Sequence, residues 1–218
     1  MKQNIAIEVA DILLKIGAVT FRFDPPYTYT SGIKSPIYLD NRIIISHPDE
    51  RKKIIDLYIE LIKNNIGLEN IDYVSATATA AIPQGAWIAD RLSIPMVYCR
   101  SDKKGHGKEN QIEGSLKTNS NVVIVEDHIS TAGSSIGNAE AVRKLGGKVF
   151  YIVASTTYET KKSSDQLKDA KLKLFTLTNG KIIVEQAVKK GLLNKKQKEL
   201  VDDWFADPVG WAKKHGFE

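Results

Sequence analysis

Apolar positions recur with two different periods along this chain. Near its start Ile5, Val9, Ile12, Leu13 and Ile16 fall on one helical face, and Gly17 follows as a C-cap. Residues 21–42, FRFDPPYTYTSGIKSPIYLDNR, break that period and read as short strands and turns. The spacing next predicts a long helix opened by Ser46, with Asp49 three residues on as in a capping box. Its buried stripe is Ile54, Leu57, Tyr58, Leu61 and Ile62. From Ile71 strand-like and helix-like segments alternate. IDYVSA leads to AIPQGAWIADRL, PMVYC to a polar loop, and NVVIVE to SIGNAEAVRKL, which Gly146 and Gly147 stop. KVFYIVAS, a short helix, KLKLFTL and further helices complete the chain. Such alternation predicts an α/β fold with a parallel sheet covered on both faces. Residues 1 to about 45 read as a helix and a small N-terminal subdomain. Residues from about 46 to 218 read as an α/β core with C-terminal helices, the whole forming one domain.

Composition narrows the picture without deciding it. The 218 residues carry a net charge of +5, which suits an anionic partner, phosphate or nucleic acid alike. The single cysteine, Cys99, excludes an intrachain disulfide and a cysteine-built zinc site. The opening MKQNIAIEVADILL has Glu8 and Asp11 among its apolar residues, unlike a signal or transit peptide. No apolar run approaches the roughly 18 residues of a membrane span. The expectation is a soluble cytoplasmic protein with no membrane partner.

Parallel sheets bind ligands at the carboxyl ends of their strands, and the chemistry of this chain gathers at three of those ends. The first is VVIVEDHISTAGSS, residues 122–135. Side chains alternate along a strand, so Glu126 and Asp127 cannot both face the core. The small residues Ser130, Thr131, Ala132, Gly133, Ser134 and Ser135 let a ligand approach the backbone, and the helix that follows favours an anion at its N-terminus. Carboxylates that accept, followed by amides and hydroxyls that donate, suit a ribose 5-phosphate. The plainer alternative is a helix cap beside solvated acids. Neither GxxxxGK[ST] nor GxGxxG occurs in the chain.

The second end is RSDKKGHGKENQ, residues 100–111, which has no apolar side chain to anchor it. It reads either as a solvated hairpin tip or as a cationic lid over an anion whose charge grows during reaction. The third is TATAAIPQGAW, where Thr77 and Thr79 could present hydroxyls and amides to a phosphate, or merely cap a helix.

These motifs together resemble those of the type I phosphoribosyltransferases. V-V-I-V-E-D-x-x-S-T-A-G-S resembles their diphosphoribosyl-binding signature, and the Thr77 turn is similar to their diphosphate-binding turn. R-S-x-x-K-G-H-G-K-x-N-Q-I-E-G and S-G-I-K-S-P-I-Y-L-D-N-R (residues 31–42) resemble the catalytic loop and the hood of the orotate-specific members. Many members have glycine where Ala132 stands. The resemblance implies a parallel sheet flanked by helices under a small N-terminal hood. It implies transfer of the phosphoribosyl group of 5-phosphoribosyl-1-diphosphate to orotate, a step of pyrimidine biosynthesis that gives orotidine 5-phosphate and diphosphate. It implies that Arg100, Lys104 and His106 contact the diphosphate. Glu126 and Asp127 would hold the ribose hydroxyls, and His128, Ile129, Ser130, Thr131, Ala132, Gly133 and Ser134 would wrap the 5-phosphate. Ser130 would also bond orotate. Lys104, Asp127 and Glu126 are the catalytic candidates. Mg²⁺ would arrive mainly on the diphosphate, with no metal ligands set aside in the protein, and the loop would reach into the partner's site in a homodimer.

Two rivals share the fold. A purine-base phosphoribosyltransferase would carry different loop and hood motifs. A non-enzymatic RNA-binding regulator would not need the acid pair, and no RNP-type aromatic motif is present. Lys34 could meet a carboxylate or only solvent, and Tyr38 could be hood core or a wall for the base. Trp204, Phe205 and Trp211 read as core or interface aromatics. Lys189, Lys190, Lys195, Lys196 and Lys198 read as a solvated face. His47, His128 and His215 have no partners that suggest a metal site, and His128 has a candidate role only through its backbone.

Overall fold

The structure, a computed structural model, describes residues 2–29, 31–100 and 111–217. The chain divides into two compact units, Met1–His47 with Thr178–Glu218, and Pro48–Leu177.

The central unit is built on a six-stranded sheet. Its strands are β5 (Tyr73–Thr77), β6 (Met96–Cys99), β7 (Ile112–Glu113), β8 (Asn121–Ile129), β9 (Lys148–Thr157) and β10 (Lys173–Thr176), in the order β10-β9-β8-β5-β6-β7. Every pairing is parallel except that of the two-residue edge strand β7 with β6. That strand pairs Glu113 with Tyr98 and Ile112 with Cys99. The four-residue run Val122–Val125 is almost wholly buried, as a strand covered on both faces requires. One face carries α4 (Gly133–Lys144) and α5 (Lys161–Asp169), with Ile124, Ile152, Ala139, Val142 and Leu167 in a single apolar cluster. Helices α2 (Pro48–Asn65) and α3 (Ile82–Leu92) also pack on the strands. Gly85 of α3 is needed there, because a Cβ would stand 2.7 Å from that of Ala76 on β5.

The predicted stripe of α2 is buried throughout, Ile54, Tyr58 and Ile62 completely. Its start differs from expectation. Ser46 closes a 3-10 helix, Asn41–Ser46, instead of opening α2. Asp40 caps that short helix by accepting from the Arg42 amide at 3.0 Å, and α2 begins at Pro48, whose fixed φ suits a first helical turn.

The other unit contains α1 (Lys2–Lys15), the short antiparallel pairs β1–β4 (Val19–Phe21 with Ile37–Leu39) and β2–β3 (Tyr27–Thr28 with Lys34–Ser35), and the C-terminal helices α6 (Gly180–Lys189), α7 (Lys195–Ala206) and α8 (Trp211–His215). Gly17 closes α1 with φ +73. The buried face of α1 is Ala6, Val9, Ala10, Leu13 and Leu14, whereas Ile5, Ile12 and Ile16 are only half-buried. The small alanines let α1 lie close against its neighbours, of which α6 is the chief. Trp204 and Trp211 are core residues, and the Trp204 indole donates to the Lys34 carbonyl at 2.8 Å. Among the described residues no helix is long and apolar enough to cross a membrane.

Candidate functional site

At the carboxyl end of the central sheet, Thr77 at the end of β5, the turn 78–80 after it and residues 126–135 around the end of β8 line one cavity of about 240 Å³. Two of the three strand ends singled out by sequence therefore meet. Strand β8 runs three residues beyond Glu126, because β9 continues beside it and pairs Ile129 with Thr157. The acid pair thus stands inside a paired strand rather than at its tip.

Alternation sends the two acids different ways. Glu126, 6% exposed, lies on the α4 side, accepting from the Ser135 hydroxyl at 2.9 Å and from the Asp127 amide at 3.0 Å. Burial, and then the charge of Asp127 next to it, hold its carboxyl well above the usual carboxylate range. Asp127 is half-buried and its carbonyl accepts from Thr156. His128 places Nδ1 2.9 Å from Thr156 Oγ1 and its ring 4.3 Å edge-on from Tyr158. Burial lowers its pKa to about 4, so it is neutral at pH 7. Tyr58, wholly buried, donates to the Glu126 carbonyl at 3.2 Å and pairs with Ser155 at 2.8 Å.

The loop after β8 ends on Ala132, at φ 67 and ψ −1, which turns the chain into α4 with no side-chain cap. The first intrahelical bond runs from the Ile136 amide to the Ala132 carbonyl. The amides of Gly133, Ser134 and Ser135 precede it, and these residues line the cavity at the positive end of a 12-residue helix. Ser130 and Thr131 on this loop and Ser134 in the first turn of α4 are exposed, and Thr160 fastens the loop by donating to the Ser130 carbonyl at 3.0 Å. In the turn after β5 the Ala78 amide donates to the Cys99 carbonyl at 2.8 Å, and the Ala78–Thr79 peptide is cis.

The remaining strand end, the one after β6, lies only partly among the described residues. The Arg100 amide donates to the Gln111 carbonyl at 2.9 Å, and its guanidinium reaches Glu113 at 3.2 Å. The two ends of the cationic segment are therefore held side by side at the β6–β7 edge. Lys104 and His106 lie outside the described residues. In the unit that holds the N-terminal segment, Tyr38 is 36% exposed and touches the rings of Tyr27 and Tyr29, and the Lys34 ammonium donates to Thr28 at 3.0 Å. Among the described residues no three His, Cys, Asp or Glu side chains cluster closely enough to hold a metal ion.

Sequence reading passed over Ser135 as the partner of Glu126, and Asn138 on α4. Their burial could have been read, since Ser135, Asn138, Ala139 and Val142 recur at helical spacing on one face, but not their partners.

Comparison with known proteins agrees with this geometry. Residues 42–190 match a family described as Phosphoribosyl transferase domain. The chain is 43% identical over 209 residues to an orotate phosphoribosyltransferase of Coxiella burnetii, covering 95% of this chain and 99% of that one. It is 44% identical over 200 residues to that of Halalkalibacterium halodurans, covering 92% and 94% of the two chains. Among solved structures, orotate phosphoribosyltransferase from Aeropyrum pernix superposes with a TM-score of 0.74 at 28% identity, over 85% of this chain and 99% of the other.

Proposed function

The chain belongs to the phosphoribosyl transferase family, and from that membership we propose that it transfers the phosphoribosyl group of 5-phosphoribosyl-1-diphosphate to orotate. The products are orotidine 5-phosphate and diphosphate, in the route to UMP. Near full-length likeness to orotate phosphoribosyltransferases carries the choice of base. The cavity that joins the acid pair, the α4 N-terminus and the Thr77 turn supports the choice of sugar substrate.

The chemistry is displacement at C1 of the ribose. The C1–O bond to diphosphate breaks with its electron pair left on the diphosphate, and orotate N1 bonds to C1 while its N1–H bond breaks and the proton passes to the departing diphosphate or to water. Positive charge builds on the sugar meanwhile, so catalysis consists of holding three anionic or polar ends apart around one carbon. In this reading the amides of residues 133–135 and the hydroxyls of Ser130, Thr131 and Ser134 hold the 5-phosphate. Asp127 accepts from the ribose hydroxyls. Glu126, whose oxygens already take bonds from Ser135 and Asp127, fixes the strand that presents Asp127 and adds a further acceptor. Residues 77–80 and Arg100 meet the diphosphate, joined by Lys104 and His106. Ser130 bonds orotate.

The proposal extends to Mg²⁺, a homodimer and a cytoplasmic location. The Mg²⁺ would arrive on the substrate's own oxygens and water, at the cavity that half-buried Asp127 lines. Bound there, Mg²⁺ would neutralise charge on the leaving diphosphate. In the dimer the 100–111 loop closes over the partner's site.

The deciding experiment offers orotate, uracil, adenine and hypoxanthine separately with 5-phosphoribosyl-1-diphosphate and Mg²⁺. Only orotate should be consumed; comparable turnover of adenine or hypoxanthine would overturn the assignment of the base.

A further inference from the structure

On the α4 side of the sheet three polar side chains form a closed set in an otherwise apolar layer. Ser75 and Asn138 are fully buried, and Thr77 is 6% exposed. Ser75 Oγ donates to Asn138 Oδ1 at 2.7 Å. Asn138 Nδ2 stands 3.4 Å from the Ser75 carbonyl oxygen and 3.1 Å from Thr77 Oγ1.

Donor and acceptor roles in this set follow from elementary constraints. A carbonyl oxygen only accepts, so the end of the amide facing Ser75 O must be its nitrogen. The same nitrogen faces Thr77, which makes Thr77 Oγ1 an acceptor. The hydroxyl proton of Thr77 is thereby left to donate elsewhere. Thr77, the last residue of β5, also lines the cavity beside the turn 78–80. Asn138 sits on α4 five residues after Gly133, on the same helix whose first turn faces the 5-phosphate space.

A buried amide has a cost that a leucine of similar size would avoid, so packing alone does not account for Asn138. We propose that Asn138 is a positioning residue for the diphosphate end of the substrate. It holds the Thr77 hydroxyl as a donor to a diphosphate oxygen, and it locks the end of β5 to the helix that carries the 5-phosphate loop. The identity of the anion rests on the phosphoribosyl-transfer reading; the orientation of the hydroxyl rests on the hydrogen bonds alone.

The test compares Thr77→Val, Thr77→Ser, Asn138→Leu and the double variant Thr77→Val/Asn138→Leu. Calorimetry measures the Kd of inorganic diphosphate with Mg²⁺, steady-state kinetics the separate KM values of both substrates, and melting the fold. Thr77→Val, which keeps shape and loses the donor, should raise the diphosphate Kd and the KM of the sugar substrate about tenfold, with the KM of orotate unchanged. Thr77→Ser should recover most of that loss. Asn138→Leu should weaken diphosphate binding about fivefold. The double variant should bind no worse than Thr77→Val, because Asn138 acts through Thr77. If Asn138→Leu fails to fold, Asn138→Ser makes the same comparison with a smaller lesion. Unchanged Kd in Thr77→Val, or additive losses in the double variant, would overturn the inference. The reading of the base fails separately, through the wild-type choice of substrate, since diphosphate binding involves no base.

Discussion

Ser135 donates its hydroxyl to Glu126 at 2.9 Å, and this bond fastens the first turn of α4 to the strand that bears the acid pair. The groups proposed to hold the 5-phosphate and the ribose hydroxyls are thus fixed to each other before any ligand arrives. Pre-set distances of this kind let binding energy go into the reaction instead of into ordering the site.

Glu126 makes stability depend on pH in a defined direction. Its folded pKa is raised by burial and by Asp127, so the folded protein binds its proton more tightly than the unfolded chain does. The contribution is fully present below the unfolded value, about 4.3, and is lost as pH rises through the folded value. Glu126→Gln keeps both hydrogen bonds in neutral form, with its oxygen accepting from Asp127 and its amide donating to Ser135. The variant should melt increasingly above wild type between pH 5 and pH 9, with the gap growing by about 2 °C or more. Parallel melting curves across that range would show that Glu126 ionises as it does in water.

Asp127 should behave differently. It is half-buried at the cavity wall, and its proposed partners are ligand hydroxyls. Asp127→Asn should lower kcat/KM by about a hundredfold or more while leaving the ligand-free melting temperature nearly unchanged. A large melting shift with near-normal turnover would mark the residue as structural.

Ala132 gives a third prediction. Its φ of 67 lies in the left-handed region, and its side chain is buried in the core cluster. Ala132→Gly would remove strain of about 1 kcal/mol and also lose a buried methyl worth about the same. Stability and activity should therefore change little. Ala132→Val puts a branched side chain where it is most strained, and should cost about 2 kcal/mol or more and raise the KM of the sugar substrate as the Gly133 amide shifts. Equal destabilisation by glycine and valine would remove the backbone explanation.

Legibility in the sequence followed the physical origin of each feature. The strands of the central sheet were readable because burial on both faces writes continuous apolar runs such as Val122–Val125. That residues 126–135 line one cavity with the end of β5 was foreshadowed by their place at the carboxyl end of a parallel sheet, where acids and small residues gather before a helix. Ser46 misled because a cap-like residue three positions before an acid can equally end a 3-10 helix. The face of α1 was misjudged because Ala6 and Ala10 carry weak hydrophobic signal yet permit the closest approach. The bonds of Ser135 and Asn138 depend on which strand lies across from α4, and no local pattern states that. The packing of α6–α8 with the N-terminal segment is likewise a long-range fact, visible in the Trp204–Lys34 bond and silent in the sequence around either residue.

The proposed exchange of the cationic loop between subunits can be tested by mixing two inactive proteins. Lys104→Ala damages the loop, and Asp127→Ala damages the ribose site. Each homodimer then has two crippled sites. In a mixed dimer with loops exchanged, the intact ribose site of the Lys104→Ala chain receives the intact loop of the Asp127→Ala chain. That site is whole, and its twin carries both lesions. Random exchange makes half the dimers mixed, each with one good site of two, so about a quarter of wild-type activity should return, given a twofold dimer of independent sites. The two variants would be unfolded and refolded together, or co-expressed with different tags, and subunit exchange confirmed by pull-down. If the loop serves its own chain, every site in a mixed dimer keeps one lesion. Activity of the mixture would then stay at the average of the two parents.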